Sequence, residues 1–149
     1  MFAQALLAFF ALPGVVAIAV PVAWIWASSH TRLVQPLGLV PLFVGFLALL
    51  WCVRDFYISG KGTLAPWAPP THLVTVGLYR YTRNPMYIAV TLALLGWALC
   101  FGVPCLFVYA VVVAIAFHLR VVLGEEPWLA RTHGAQWEHY SSRIPRWFW

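Results

Sequence analysis

The sequence predicts an all-α integral membrane protein with about four transmembrane helices, and three observations support this prediction. Hydrophobic residues make up 63% of the 149-residue chain and charged residues only 9%, whereas soluble domains average about 25% charged residues. Four apolar stretches approach or exceed the length of about 20 residues that a helix needs to span a bilayer. The basic residues flank these stretches. We therefore expect a single membrane domain covering residues 1–149.

The four helices follow from the apolar stretches and from the positions of the prolines. They cover residues 5–27, 36–57, 85–101 and 104–123. Pro13 and Pro21 lie inside the first helix and are expected to bend it, which a membrane helix tolerates when neighbouring groups satisfy the freed carbonyls. A proline opens each of the other three helices, where its missing N–H costs little: Pro36, Pro85 and Pro104.

The basic residues predict the orientation of the helices. With four spans, both termini and the connection over residues 58–84 share one side, and a tight hairpin at Gly102-Val103-Pro104 lies on the other. Eight of the nine lysines and arginines fall on the first side, and only Arg32 falls on the second. The excess of positive charge places both termini in the cytoplasm, and we expect the inner (cell) membrane of a bacterium. Without a basic stripe interleaved with aromatics, we expect no nucleic-acid partner.

The two predicted cytoplasmic elements are the connection over residues 58–84 and the tail over residues 124–149. Glycines and prolines make the first part of the connection irregular. In the tail, Gly124 is expected to end the fourth helix and Pro127 to open a new one. Five residues spaced by three or four then share one helical stripe: Leu129, His133, Trp137, Tyr140 and Ile144. This pattern predicts a tail helix that lies on the membrane or caps a pocket.

Cysteine and histidine positions predict no metal site. Cys52, Cys100 and Cys105 lie in or beside apolar runs without metal-ligand spacing, where a thiol is usually a small buried hydrophobe. A disulfide between Cys100 and Cys105 stays an open alternative. His118 has no second ligand at short helical spacing, so we expect a hydrogen-bonded structural histidine. The sequence also lacks nucleotide-binding glycine fingerprints, P-loops, nucleophile elbows and metalloprotease motifs.

Two polar clusters stand out against the apolar background, and we expect them to form two walls of one pocket. The first is the run from Gly77 to Tyr87, which places guanidinium, amide and phenol groups at the membrane edge, where they cost free energy unless they line a polar site. The second is Glu125-Glu126, whose adjacent charges repel unless a cationic ligand or arginines stabilise them. Two plainer alternatives stay open. Arg80 and Arg83 would bind lipid phosphates, or Arg83 and Glu125 would form a structural ion pair.

Several motifs follow one another in a fixed order along the second half of the chain. They are Leu73-Val74, Gly77-Leu78-Tyr79, Arg83-Asn84-Pro85-Met86-Tyr87, Glu125-Glu126, Gly134-Ala135-Gln136-Trp137-Glu138-His139-Tyr140 and Ile144-Pro145-Arg146. With this order the chain resembles the isoprenylcysteine carboxyl methyltransferase family of integral membrane enzymes, which use S-adenosylmethionine, and the related phospholipid N-methyltransferases. The resemblance covers residues 60–146. Asn84, Ala89 and Trp137 stand where the family pattern has histidine, glycine and tyrosine.

The resemblance implies an activity and a set of site residues. The implied activity transfers a methyl group from S-adenosylmethionine to a lipophilic or amphipathic acceptor at the cytoplasmic membrane face, with an isoprenylcysteine-like carboxylate favoured. The acceptor, a lipid-like small molecule, enters from the bilayer. Arg83 and Arg120 take the catalytic positions, with Arg120 facing the acceptor. The implied cofactor-binding residues are Thr71, His72, Leu73, Val74, Tyr79, Asn84, Pro85, Met86, Tyr87, Glu125 and Glu126.

The chemistry of these side chains suits S-adenosylmethionine. Glu125 can accept hydrogen bonds from the amino group or the ribose hydroxyls. Aromatic faces such as those of Tyr79 and Tyr87 stabilise a sulfonium by about 0.5–2 kcal/mol. A carboxylate or thiolate acceptor needs no strong general base, whereas an amine acceptor would require His72 or His133 to remove a proton.

Two other functions stay open at this point. An NADPH-dependent membrane reductase related to sterol reductases would share part of this C-terminal architecture, although a single lysine and few arginines remain for a 2′-phosphate. A non-enzymatic membrane scaffold would use the polar motifs to bind lipid headgroups. For a methyltransferase, the acceptor stays open among isoprenylcysteine, a phospholipid amine, a small thiol and another lipid-like carboxylate.

Overall fold

The computed structural model of the chain describes residues 10–60 and 71–148, with side chains from residue 13 onward. These residues form helices joined by turns and contain no strand, which confirms the predicted all-α fold class. Parts of three predicted elements lie outside the described residues: the start of the first helix at residue 5, residues 61–70 of the connection, and residue 149 at the end of the tail.

The described part of the chain contains six helices, numbered here in order. They are α1 (a π-helical part, Phe10–Ala19, followed by an α-helical part, Val20–Ala27), α2 (Leu39–Ile58), α3 (Pro85–Phe101), α4 (Pro104–Arg120), α5 (Glu126–His133) and α6 (Ala135–Arg143). Three short helical turns join them: the 3₁₀ turns Pro36–Gly38 and Gly77–Arg80, and the π-helical turn Val121–Glu125.

The prolines of α1 leave carbonyls that neighbouring helices satisfy. Pro13 lies in the π-helical part, where a wider turn tolerates a residue with no N–H to donate. Pro21 lacks the N–H that would bond to the carbonyl of Ala17 in an α-helix, and Trp97 of α3 donates its Nε1–H to that carbonyl at 2.9 Å. Tyr109 of α4 donates its hydroxyl to the carbonyl one residue earlier at 3.3 Å. These bonds fasten α1 to the rest of the bundle.

Helix α3 lies at the centre of the bundle, packed against α1, α2 and α4. Most of its buried side chains are small or of medium size, and three of them belong to the main core cluster: Ala89, Val90 and Leu94. This cluster also contains Ala17 of α1, Leu49 of α2 and Ala110 of α4. Because α3 is held on several sides, its first turn, where the polar run ends, has a well-defined position at one end of the bundle.

The apolar character of the helices supports a location in a membrane. Two helical segments are long and apolar enough to cross a bilayer, Pro36–Ile58 and Pro104–His133. The apolar segments Pro13–Ala27 and Pro85–Phe101 are shorter. Large apolar side chains also cover the outer faces of α2 and α4, where Leu47 is 65% exposed and Val108 is 64% exposed. Contiguous apolar surface of this kind is rare on soluble monomers.

The helical path at the end of α4 differs from the expected one. We expect Gly124 to end the fourth helix, but the path continues through the π-helical turn into α5. A glycine ends a helix by taking a positive φ, and Gly124 does not take one. The wider turn just before Pro127 also accommodates its missing N–H. The tail divides instead at Gly134, which has a φ of 47°, so two helices replace the single predicted tail helix.

The connection between α3 and α4 is as tight as its sequence suggests. Gly102 adopts the left-handed conformation with a φ of 61°, which favours glycine because a Cβ would be strained there. Val103 is extended, and Pro104 opens α4. Cys100 is buried and Cys105 is exposed, and both are free thiols.

Candidate active site

One cavity lies where the Gly77–Arg80 turn, the start of α3, the π-helical turn and the two tail helices meet. Nine of the thirteen site residues predicted from the sequence line it: Leu73, Val74, Tyr79, Arg83, Asn84, Met86, Tyr87, Glu125 and Glu126. Five further residues complete the lining: Phe56, Val121, Leu129, Trp137 and Tyr140. The two polar clusters, which lie about forty residues apart in the sequence, therefore face the same space.

Glu125 is held from two sides at the edge of the cavity. The hydroxyl of Tyr87, in the first turn of α3, donates to Glu125 Oε1. Arg120 Nε donates to the same oxygen at 2.8 Å. Both donors bond to Oε1. Oε2 accepts no hydrogen bond from the described residues, so its lone pairs are available to a ligand. The carboxylate is therefore held in a fixed orientation but still has hydrogen-bonding capacity for a ligand.

Glu126 plays a different part, because its carboxylate joins three segments of the chain. Arg83 Nη1 donates to Oε1 at 2.9 Å. Arg146, near the C-terminus, donates from Nε to Oε1 at 2.8 Å and from Nη2 to Oε2 at 2.7 Å. The Arg83 guanidinium also lies 5.5 Å from the centre of the Trp137 ring, within cation–π range. Arg83 thus pairs with Glu126, and the alternative of an Arg83–Glu125 ion pair is wrong.

The charge of Glu126 predicts a loss of stability in acid. Burial raises the pKa of this carboxyl, but the hydrogen bond from Arg146 and the positive charges of Arg83 and Arg146 outweigh it, so the pKa lies below its ordinary value. Its contribution to stability is therefore present above the unfolded pKa of about 4.3 and is lost as pH falls through the folded value. We expect the unfolding temperature in detergent to fall less between about pH 6 and pH 3.5 for Glu126→Gln than for the wild type.

Glu138→Gln is the matched control for this measurement. Glu138 is exposed on α6, so removing its charge should leave the acid dependence of the wild type unchanged. Equal acid dependence in the wild type and in Glu126→Gln would show that the Arg83–Glu126–Arg146 network does not favour the ionised carboxylate.

Two buried tyrosines attach the last helix to the 3₁₀ turn. The hydroxyl of Tyr140, on α6, donates to the backbone carbonyl of Tyr79 at 2.7 Å. Burial raises the pKa of both phenols, so each stays protonated at neutral pH. The ring of Tyr79 packs edge-on against Phe56 of α2, with ring centres 5.5 Å apart. The part of the cavity wall formed by these rings is therefore neutral and aromatic.

The C-terminal segment, residues 144–147, is hydrogen-bonded to the residues that precede α3. The backbone N–H of Arg83 donates to the Pro145 carbonyl at 2.9 Å. The carbonyl of Arg146 accepts from Thr82 Oγ1 at 3.1 Å and from Asn84 Nδ2 at 3.0 Å. Asn84 lines the cavity, but its amide donor is used to hold this segment. The asparagine therefore has a structural bond where the family resemblance implies a cofactor contact.

Four predicted site residues do not line the cavity. Thr71 and His72 are exposed, and their side chains bond to each other at 2.9 Å. Pro85 is buried at the first position of α3. Arg120 lines a second, apolar pocket between α1, α3 and α4, together with Pro13, Val16, Val90 and Phe117. Met86 and Tyr87 line both pockets, so they separate the two.

Sequence reasoning missed Asp55 and Arg146. Asp55, at the end of α2, is 4% exposed, and a Cβ built on Gly77 would lie 2.0 Å from its Oδ2 atom. It thus packs directly behind the turn that carries Tyr79. An acid at the end of an apolar stretch was a usable signal, because the chain has only four Asp and Glu. Arg146 gave no such signal, since its role depends on where the C-terminal segment folds.

Two histidines expected as bases for an amine acceptor lie away from the cavity. His72 is exposed, and neither it nor His133 lines the space. His118 accepts a hydrogen bond from Trp147 Nε1 at 3.3 Å, as expected of a structural histidine. No group of His, Cys, Asp and Glu among the described residues could hold a metal ion.

One curated relative is similar to most of the chain. It is the nickel-cobalt-cadmium resistance protein NccN of Alcaligenes xylosoxydans xylosoxydans, with 29% identity over 125 residues. The match covers 83% of this chain and 52% of the relative, so the chain spans about half the length of the curated relative it matches. No solved structure matches the chain significantly.

A family model matches the region that carries both polar clusters. It is the model of phospholipid methyltransferases, and it matches residues 34–136. This range is well over half of the chain and includes the Arg83-Asn84-Pro85 turn and both glutamates. The resemblance to membrane methyltransferases is thereby confirmed. The chain belongs to the phospholipid methyltransferase family.

Proposed function

We propose that this protein transfers a methyl group from S-adenosylmethionine to a lipophilic or amphipathic acceptor at the cytoplasmic face of a membrane. Family membership implies methyltransferase activity. The observation that carries the proposal is the meeting of the two polar clusters around one cavity, with Glu125 oriented by Tyr87 and Arg120.

The lining of the cavity suits the methyl donor. A free oxygen of Glu125 can accept a charge-assisted hydrogen bond from the amino group of the donor or from its ribose hydroxyls. Tyr79 and Tyr87 supply aromatic rings beside the space for a sulfonium. Val74, Met86 and several other apolar residues line the remainder and exclude water. When bound, S-adenosylmethionine supplies a methyl group on a positively charged sulfur.

The second pocket suits the acceptor. It opens between α1, α3 and α4 and is apolar except for Arg120 and the Tyr87 hydroxyl. A lipid-like chain entering sideways from the bilayer would place its polar end against Arg120, beside the partition formed by Met86 and Tyr87. A guanidinium favours an anionic end, so we infer that a carboxylate such as that of an isoprenylcysteine is preferred.

A carboxylate acceptor also agrees with the groups present. A carboxylate oxygen forms a bond to the methyl carbon while the bond from carbon to sulfur breaks, and the sulfur keeps the electron pair. The products are a neutral methyl ester and S-adenosylhomocysteine, and no proton needs to be removed. This agrees with a cavity whose described lining contains no histidine. The chain contributes alignment of the two reactants and exclusion of water.

The proposed arrangement has four membrane spans, with both termini and residues 58–84 in the cytoplasm of a bacterial cell. The two long apolar helices provide two of the spans, and the shorter α1 and α3 complete the set. The two polar clusters then lie at the cytoplasmic boundary, where a water-soluble cofactor reaches them. Membrane lipids and the acceptor are the proposed partners, without nucleic acid or metal.

Calorimetry on the purified full chain in detergent tests this function. We expect S-adenosylhomocysteine to bind at one site per chain and NADPH to leave its affinity unchanged. Incubation with a radiolabelled methyl donor and a membrane lipid extract should then yield a labelled lipid-like product. Absence of S-adenosylhomocysteine binding would exclude the proposal, and displacement of the ligand by NADPH would favour a reductase.

A further inference from the structure

A second polar space shares Leu73 and Tyr140 with the candidate active site. This space, the rear cleft, has a volume of about 390 Å³ and lies between the chain around the Gly77–Arg80 turn and helix α6. Its polar lining residues are Thr75, Arg80, Gln136, His139 and Arg143. Its described lining contains no acidic residue. The rear cleft is thus a concave surface whose described polar groups are all cationic or neutral.

The arginines of the rear cleft differ from most other arginines of the protein. Arg54, Arg83, Arg120 and Arg146 each contact a carboxylate. Arg80 and Arg143 contact no carboxylate in the part of the chain that the structure describes. Two guanidinium groups that line one cleft repel each other, and an anion bound between them would relieve this repulsion.

We propose that the rear cleft binds a phosphate group, and that its natural source is the headgroup of an anionic lipid. A guanidinium offers paired N–H donors that match the oxygens of a phosphate, which makes arginine the preferred residue for this anion. Thr75, Gln136 and His139 add further polar groups beside the arginines. Leu73 and Ile144 give the same cleft an apolar wall, which suits the glycerol part of a lipid better than a free ion.

The rear cleft is independent of the proposed methyl transfer, although the two sites share a wall. Leu73 and Tyr140 line both spaces, and the Tyr140 hydroxyl holds the Tyr79 carbonyl. Arg80 and Arg143 do not line the candidate active site. A phosphate bound to both arginines would join the turn to α6 and raise the unfolding temperature, because a ligand that binds only the folded state stabilises it.

The test compares two phosphate sources on the full chain in a neutral detergent. The probes are short-chain phosphatidylglycerol and inorganic phosphate, and the readouts are calorimetry and the unfolding temperature. The double variant Arg80→Gln/Arg143→Gln should bind phosphatidylglycerol at least about tenfold more weakly than the wild type. Arg131→Gln is the control for loss of an arginine outside the rear cleft, because Arg131 is exposed on α5 and its Nε atom donates only to a backbone carbonyl.

The possible outcomes show whether the phosphate site exists and, separately, which source of phosphate it binds. Tighter binding of phosphatidylglycerol than of inorganic phosphate, lost only in the double variant, supports a lipid headgroup. Equal binding of the two probes, lost only in the double variant, supports the phosphate site but assigns it to free phosphate. Absence of binding, or an equal loss in Arg131→Gln, overturns the site. Binding of S-adenosylhomocysteine by the double variant, measured in parallel, tests the candidate active site separately.

Discussion

Replacing Glu125 by glutamine is expected to weaken S-adenosylhomocysteine binding about 10- to 100-fold, which corresponds to the loss of one hydrogen bond to a charged group. Glutamine has nearly the same shape and keeps an oxygen that can accept from Tyr87 and Arg120. The substitution therefore removes the negative charge while preserving the arrangement around it. Arg120 keeps a hydrogen-bond acceptor but loses the opposite charge, and its side chain is 53% exposed, so water can solvate the guanidinium.

Calorimetry on Glu125→Gln and Glu138→Gln distinguishes this effect from a general loss of negative charge. Glu138 is an exposed acid on α6 that does not line the cavity, so its variant should bind the ligand as the wild type does. The unfolding temperature of each variant checks that the fold is intact. Unchanged affinity in Glu125→Gln would mean that the carboxylate does not contact the cofactor.

Replacing Gly96 by alanine is expected to destabilise the bundle by about 1–3 kcal/mol or more, as overpacking of a close contact does. A Cβ built on Gly96 would lie 2.5 Å from the backbone nitrogen of Leu42 and 2.6 Å from its Cα atom. Backbone atoms cannot rotate away as the end of a side chain can, so α2 and α3 would have to separate. Gly45 has an equivalent contact, with a built Cβ 2.6 Å from the backbone nitrogen of Ala93.

Gly124→Ala provides the matched control for this prediction. Among the described residues, no atom beyond the adjacent residues and the helix's own backbone lies within 4 Å of a Cβ built on Gly124, and its φ is not positive. Alanine should be neutral or stabilising there, because glycine inside a helix costs about 0.5–1 kcal/mol relative to alanine. Thermal unfolding in detergent compares the variants. Equal unfolding temperatures for Gly96→Ala and the wild type would show that α2 and α3 are not held at this close distance.

The sequence alone predicts the helical fold and much of the helix placement. Prolines mark the starts of α3 and α4, and Gly102 marks the turn between them, because both residue types impose local backbone conformations. Gly124 is a misleading signal for the same local reason. A glycine can end a helix, but whether it does depends on how the next segment of the chain packs, and here the helical path continues to His133.

The candidate site likewise has residues that the sequence predicts and residues whose roles depend on the tertiary structure. The family resemblance of the motifs implies nine of the cavity residues. The polar ones among them also stand out by themselves, because a polar group beside an apolar stretch is a strong local signal. Trp137 and Tyr140 belong to the predicted helical stripe of the tail, and both line the cavity. Asp55 and Arg146 were missed as parts of the site, since their roles depend on contacts with distant segments.

The sequence by itself determined an all-helical chain with apolar helices and two polar clusters at their ends. It did so through its composition, the length of its apolar stretches and the local backbone preferences of its residues. Only the tertiary structure decided which arginine pairs with which glutamate. The sequence leaves open whether Arg83 pairs with Glu125 or with Glu126. In the structure Arg83 bonds to Glu126, 43 residues away, and Arg120 bonds to Glu125. Such pairings depend on how whole helices pack and rotate against one another. That packing is the result of many small contacts between residues far apart in the chain.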